Sequence, residues 1–142
     1  MKQADTTNII EACEQKCRRA GLAGLTAKER VVVLANWANF EIELGGVAAF
    51  FHNSTGTHAR PIVKALIELG AMDEAAAINQ GRELLRLHSW EDLARSAQFE
   101  RLTDKFLASM PGLVPRLASF VDLHREELEV SAEQVLVTNA PT

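Results

Sequence analysis

Residues 36–58 read NWANFEIELGGVAAFFHNSTGTH, and this stretch decides how the rest of the chain folds. A nearly apolar helix runs into Gly45-Gly46, where glycine permits left-handed backbone and ends the helix. We expect residues 47–51 to form a short helical turn that places both of its phenylalanines in the core. Residues 52–56 form a turn by composition.

The helix that precedes Gly45 begins at Thr26, which forms a capping box with Glu29, because each side chain can accept a hydrogen bond from the other residue's backbone N–H. Apolar residues cover most of its circumference, which predicts a buried helix. Its main apolar stripe is Val33, Trp37, Phe40 and Leu44. Its polar stripe is Asn36, Asn39 and Glu43. If that stripe is also covered, each polar side chain needs a hydrogen-bonding partner.

The remaining segments also repeat their apolar residues with helical period, and none alternates as a half-buried strand does. The first predicted helix covers residues 7–20. Beyond the opening stretch, one helix is predicted from Thr57 or His58 to Gly70 and the next from an Asp73 cap to near His88. A further helix opens at Ser89, another follows the stripe Phe99, Leu102, Phe106 and Met110, and the last begins at Pro111. The sequence therefore predicts an all-α protein. Residues 1–142 form one compact domain of six to seven helices that ends in a short tail over 131–142.

With 142 residues, of which 47% are hydrophobic, the chain can bury a core without disulfide or metal staples. Its first residues include no apolar signal-peptide region, and eighteen consecutive apolar residues occur nowhere. We therefore expect a cytoplasmic protein that does not span a membrane.

Two cysteines, Cys13 and Cys17, lie four residues apart on one face of the first predicted helix. Two thiolates do not complete a tetrahedral zinc site, and no histidine has the spacing to pair with them. Buried thiols are the favoured interpretation, with a metal or disulfide shared between subunits as the alternative.

The formal net charge of −4 is unevenly distributed, because residues 91–142 contain nine acidic and five basic residues. Direct binding to nucleic acid needs a basic stripe, which the sequence lacks. The acidic residues that form a candidate surface for a basic protein partner are Glu91, Asp92, Glu100, Asp104, Asp122, Glu126, Glu127 and Glu129. The alternative is an ordinary solvated set of helix faces, neutralised by interleaved basic residues.

Two histidines, His52 and His58, flank the Asn-Ser-Thr-Gly turn, and Glu41 and Glu43 upstream are candidate carboxylate partners for acid–base chemistry. The hydroxyls nearby lie in the turn, where such groups usually bond their own backbone. His124 falls within the apolar stripe of the last helix, which favours a core histidine with one hydrogen-bonding partner. The sequence thus contains no evident catalytic constellation, and it implies no metal and no cofactor.

Several short motifs stand together around the opening stretch: Glu43-Leu44-Gly45-Gly46, Phe50-Phe51, Asn53-Ser54-Thr55-Gly56, Leu69-Gly70-Ala71, Leu102-Thr103-Asp104-Lys105-Phe106 and His124. Their combination, over about residues 28–128, resembles a bacterial family best known through a DNA-mimic protein and largely catalogued as a domain of unknown function. Leu44 stands where that family has asparagine.

The resemblance implies an all-α fold that is often dimeric. For the best-known member it also implies a surface of carboxylates that imitates DNA phosphates and sequesters a DNA-binding regulator. The motif residues that we expect to be structural are Glu43, Gly45, Gly46, Phe50, Phe51, Asn53, Ser54, Gly56, Gly70 and His124.

The leading hypothesis is a non-enzymatic protein-interaction module, a DNA-mimic-like acidic protein that binds a DNA-binding regulator. The alternative is a small-ligand-binding or hydrolytic enzyme that uses the region of Glu43, His52 and His58. A domain that only supports its own homodimer is the third hypothesis.

Overall fold

A computed structural model describes residues 5–129 of the chain. Its α-helices are α1 (Thr6–Ala20), α2 (Ala27–His52), α3 (Ala59–Glu68), α4 (Met72–Leu87), α5 (Trp90–Ala94), α6 (Gln98–Ala108) and α7 (Leu113–Leu123). Two 3-10 helices, Leu22–Gly24 and Ser54–His58, join α1 to α2 and α2 to α3. Residues 125–129 are again helical. The all-α prediction is confirmed, and the predicted tail over 131–142 lies outside the described residues.

The capping box at the start of α2 is present as predicted. The Glu29 N–H donates to the Thr26 hydroxyl at 3.2 Å, and the Thr26 N–H donates to the Glu29 carboxylate at 2.7 Å. Lys16 of α1 also donates to this carboxylate, at 2.9 Å. One side chain therefore both caps α2 and attaches it to α1.

Helix α2 forms the centre of the fold, because α1, α3, α6 and α7 all pack against it. Buried residues of its first half run from Val31 to Ala35 and recur at Ala38, and Ile42 follows one turn later. Apolar burial is the main favourable term in folding, so this half of α2 anchors the core. In the polar stripe, Asn36 has a partner, because it donates to the Glu14 carboxylate of α1 at 3.0 Å.

The predicted interruption of α2 occurs at Gly46, whose backbone has φ 79° and ψ −178°. This region of the Ramachandran map is essentially restricted to glycine. The first N–H beyond the break, that of Val47, donates to the Thr103 hydroxyl of α6 at 2.8 Å, and that hydroxyl donates to the Phe99 carbonyl at 3.0 Å. The break thus redirects α2 and attaches it to α6, with Phe50 fully buried.

The prediction that α2 is buried all round is wrong at Phe40 and Leu44, which are 63% and 75% exposed. Helical periodicity shows that a face is apolar, but it does not show whether another element covers that face. Among the described residues, nothing covers this part of α2, although Trp37 on the same stripe is half-buried.

Three helix boundaries also differ from the predictions. Asp73 does not cap α4, because Gly70 turns the chain with φ 77° and Ala71 occupies the N-cap position. Helix α3 begins at Ala59 and not at Thr57 or His58, because residues 54–58 form a 3-10 helix, whereas the sequence predicted a turn over 52–56. Helix α7 begins at Leu113 and not at Pro111, because Gly112 between them has φ 98°.

The predicted stripe of α6 holds for its first three apolar residues and fails at its last one. Helix α6 ends at Ala108, so Met110 lies beyond the helix and is 83% exposed. Phe99, Leu102 and Phe106 are buried as predicted.

The two cysteines are buried free thiols, as the favoured interpretation stated. Burial, assisted by the charge of Glu29, raises the pKa of Cys13 to about 12. Burial raises the pKa of Cys17 as well. Both thiols are thus protonated and poorly reactive at neutral pH.

No helix within residues 5–129 is long and apolar enough to cross a membrane.

The Gly46 break provides a direct test of the fold. We predict that Gly46→Ala lowers the free energy of unfolding more than Gly21→Ala, as measured by urea denaturation. Both glycines have a φ near 75°, at 79° and 71°, so both substitutions cost backbone strain of about 1–3 kcal/mol. Only a Cβ at Gly46 would lie 3.0 Å from the Thr103 hydroxyl, whereas one at Gly21 meets nothing within 4 Å. Equal losses would show that the contact with Thr103 does not matter.

Candidate functional site

The Asn53–Gly56 motif is attached to α2 through the Glu41 carboxylate. Asn53 Nδ2 donates to one carboxylate oxygen at 3.0 Å, and Thr55 Oγ1 donates to the other at 3.1 Å. At Gly56 the motif lies so close to the end of α2 that an added Cβ would be 2.8 Å from the Phe50 carbonyl oxygen. The motif therefore folds back on the end of α2, and it fixes the position of Glu41.

An open cleft of about 240 Å³ lies beside this attachment. We call it the aromatic cleft, and its lining residues are Trp37, Phe40, Glu41, Ser54, Thr55 and His58. The rings of Trp37 and His58 contact each other, with centroids 5.7 Å apart and planes inclined at 49°. The orientation of the Trp37 ring is fixed by a hydrogen bond, because its indole N–H donates to the Glu14 carboxylate of α1 at 2.9 Å. The cleft thus combines the rings of Trp37, Phe40 and His58 with one fixed carboxylate.

The aromatic cleft lacks the hydrogen bonds of an acid–base catalyst. Within residues 5–129, no hydrogen bond joins the His58 ring to Glu41 or to a hydroxyl, and both Glu41 oxygens are bonded to the turn. A general base needs to be within hydrogen-bond reach of the group that it activates. The geometry favours binding of a polar or cationic group over nucleophilic chemistry.

The structure does not assemble Glu43, His52 and His58 in one cavity. His58 lines the aromatic cleft. His52 is exposed, and its ring lies against Trp90 with centroids 5.4 Å apart. Glu43 is exposed on another face of α2 and lines a cavity beside the glycine pair. The three side chains that the enzyme hypothesis grouped therefore belong to three different environments.

The cavity beside Gly45 and Gly46 measures about 480 Å³ and lies between α2, α5 and α6. Glu43 of the family motif and Glu100 of α6 both line it. The structure thus brings one motif carboxylate and one residue of the candidate acidic surface to the same cavity. Sequence reasoning did not connect these two residues, because the connection depends on how α6 packs against α2.

The acidic residues fall into two groups on differently packed helices. The first group is Glu91 and Asp92 of α5 with Glu100 and Asp104 of α6. The second group is Asp122 of α7 with Glu126, Glu127 and Glu129 of the helical segment 125–129. Helix α6 packs against α2 and α4, whereas α7 packs against α1 and α2.

Ion pairs distinguish the two groups. In the second group, Arg125 pairs with Asp122 and, at 3.5 Å, with Glu129, while Lys28 pairs with Glu127 at 3.4 Å. The hydrogen bond that Arg125 donates to Asp122 raises the pKa of Arg125 above its usual value. The four carboxylates of the first group are exposed and have no ion-pair partner among residues 5–129.

The Phe50-Phe51 pair forms the aromatic centre behind the motif. Phe51 meets Phe50 edge-on, with centroids 5.0 Å apart, and stacks on Phe99 of α6 at 6.1 Å. Sequence reasoning missed Gly81 of α4, where an added Cβ would lie 2.4 Å from the Phe51 ring. A glycine within a predicted helix is a signal of such a close approach, because glycine is otherwise unfavourable there.

His124 does not have the predicted environment in the middle of a helix. It is the C-cap residue of α7, is half-buried, and its ring lies tilted against that of Phe120, with centroids 4.6 Å apart. Within the described part of the chain, no group of three or more His, Cys, Asp or Glu residues is placed to hold a metal ion.

Comparison with known proteins identifies the family. A family model described as DMP19-like protein matches residues 23–124, which is most of the chain. The chain belongs to the DMP19-like protein family. This is the DNA-mimic-like family that the motifs resemble. No curated protein and no solved structure matches the chain.

This DMP19-like chain also has two buried glutamates at equivalent helix positions. Glu29 and Glu74 are each the third residue of a helix, α2 and α4, and are 1% and 0% exposed. Glu29 has Lys16 and the Thr26 N–H as partners. Neither carboxylate oxygen of Glu74 has a hydrogen-bond partner among the described residues. The alanine-rich sequence around Glu74 gave no signal of its burial.

We predict that replacing each glutamate by methionine changes stability in opposite directions. Glu74→Met should raise the free energy of unfolding by about 1–3 kcal/mol, because it removes a buried carboxylate without partners. Glu29→Met should lower it by about 3–5 kcal/mol, because it leaves the Lys16 ammonium without its partner. Urea denaturation of both variants tests the comparison, and a destabilised Glu74→Met protein would contradict it.

Proposed function

We propose that this DMP19-like protein is a non-enzymatic interaction module whose α5 and α6 carboxylates bind a basic protein, in particular a DNA-binding regulator. The observation that supports this proposal most strongly is the absence, within residues 5–129, of ion-pair partners for Glu91, Asp92, Glu100 and Asp104. Unpaired exposed carboxylates keep their full charge for attracting a basic partner.

The spacing of these charges supports an acidic docking face. Glu100 and Asp104 are one helical turn apart, which separates them by about 6 Å along the axis of α6. A DNA strand presents one charge per roughly 3.4 Å, so the charge density of this face is lower than that of DNA. Glu43 lies beside Glu100 at the glycine cavity and adds a further exposed carboxylate to the same region.

Arg101 and Lys105 lie on the same helix but on another of its sides. They line a groove between α4 and α6 together with Asn79, Gln80 and Glu83. Helical geometry places Glu100 and Asp104 on one face and Arg101 and Lys105 on the adjacent face. The basic residues of α6 therefore lie beside the acidic face and not within it. They do not need to cancel its charge, as basic residues scattered among the carboxylates would.

A capture experiment with matched variants tests the proposal. The immobilised protein is exposed to a bacterial lysate in the wild-type form, as Glu100→Gln/Asp104→Asn, and as the control Asp122→Asn/Glu127→Gln. The control removes the same number of charges from carboxylates that are already in ion pairs.

We expect the wild type and the control to retain a DNA-binding protein that added double-stranded DNA releases, and the α6 variant to lose it. Retention should also weaken as salt is raised, because salt screens exposed charges. Bound proteins that are indifferent to both DNA and salt, or equal retention by all three forms, would contradict the proposal.

A further inference from the structure

We propose that the aromatic cleft binds the guanidinium group of an arginine side chain from a protein partner. The inference rests on the proposed function in one respect, namely that another protein supplies the arginine. It names a second and more specific contact, at a place separate from the carboxylates of α5 and α6.

The Glu41 carboxylate has the hydrogen-bonding capacity that a guanidinium needs. One of its oxygens accepts a hydrogen bond from Asn53 and the other accepts one from Thr55, and both donors belong to the turn. A carboxylate has about four acceptor sites, so each oxygen retains one for an incoming donor. A guanidinium offers two parallel N–H groups with this geometry. Within residues 5–129, Glu41 has no ion-pair partner of its own.

The aromatic walls favour a planar cation. Phe40 is largely exposed at the mouth of the cleft, and Trp37 lies half-buried one turn away with its indole N–H bound to Glu14. A cation next to such rings is attracted by their π electrons. Arginine also stacks its flat guanidinium on rings and is more weakly hydrated than lysine. Charge and shape therefore both favour arginine.

The size of the aromatic cleft fits one side chain. Its volume of about 240 Å³ equals that of roughly eight water molecules in the liquid. Pockets for drug-sized ligands begin at about 300 Å³. Leu44, one turn beyond Phe40 on α2, is also largely exposed.

The test uses Trp37 as its own reporter. The chain has two tryptophans, so Trp90→Phe leaves Trp37 as the single source of indole fluorescence. The probes are Nα-acetyl-arginine methylamide, its lysine counterpart, and its citrulline counterpart, which has the same shape without the charge.

We expect the arginine probe to change Trp37 emission saturably, with a dissociation constant on the order of 1–10 mM. Lysine should bind more weakly, and citrulline should not saturate. Glu41→Gln should weaken arginine binding by at least about tenfold. Glu43→Gln, a matched change two residues away on α2 and outside the aromatic cleft, should leave it unchanged.

A second variant separates loss of binding from loss of structure. Phe40→Ala removes an exposed ring without touching the Glu41 contacts to the turn, and it should weaken arginine binding by about two- to fivefold. Thermal unfolding of each variant checks that the fold persists. Any of four results would overturn the inference: absence of saturation by the arginine probe, equal binding of citrulline, equal effects of Glu41→Gln and Glu43→Gln, or closure of the cleft by a second copy of the protein. The last of these would appear as a Trp37 emission that depends on protein concentration.

The outcomes are separable from those of the capture experiment. An aromatic cleft that ignores arginine, with capture that still depends on Glu100 and Asp104, overturns only this inference. Arginine binding in the cleft, with capture that is indifferent to DNA and salt, overturns only the proposed function.

Discussion

The backbone break at Gly46 is the constraint on which the rest of the structure depends. With φ 79° and ψ −178°, this position is open to glycine alone without strain, and the N–H that follows it is held by Thr103 of α6. The break directs Phe50 into the core and Phe51 against Phe99 and Gly81. It thereby determines how α2, α4 and α6 pack, and it leaves a cavity at the glycine pair that Glu43 and Glu100 both line.

Two surfaces of different chemistry follow from this arrangement. The exposed carboxylates of α5 and α6 provide a negative field, which in the proposed function would steer a basic partner and increase the rate of association. The aromatic cleft instead offers three rings and one carboxylate, and this carboxylate is oriented because the Asn53–Gly56 motif returns to Glu41. Buried aromatic and arginine contacts are the usual energetic centres of interfaces. In the proposed function, the carboxylates would attract a basic partner and the aromatic cleft would hold one of its arginine side chains.

The sequence predicted those features that depend on neighbouring residues. The Thr26–Glu29 capping box, the interruption at Gly46 and the buried cysteines are all local patterns. Predictions failed where tertiary packing decides the outcome. Phe40 and Leu44 belong to the part of an apolar stripe that no described element covers, and periodicity does not indicate where that cover ends. The tie between Glu41 and Asn53 spans twelve residues and requires the turn to fold back on the helix.

Native-state hydrogen exchange at the Val47 amide tests most directly whether the Gly46 break is a rigid corner. The Val47 N–H should exchange only through global unfolding, with the same free energy as the buried Ala38 amide, because Thr103 holds it against α6. Exchange of Val47 through a local opening of much lower free energy, with Ala38 still protected, would contradict this. It would mean that the two halves of α2 are joined by a flexible hinge.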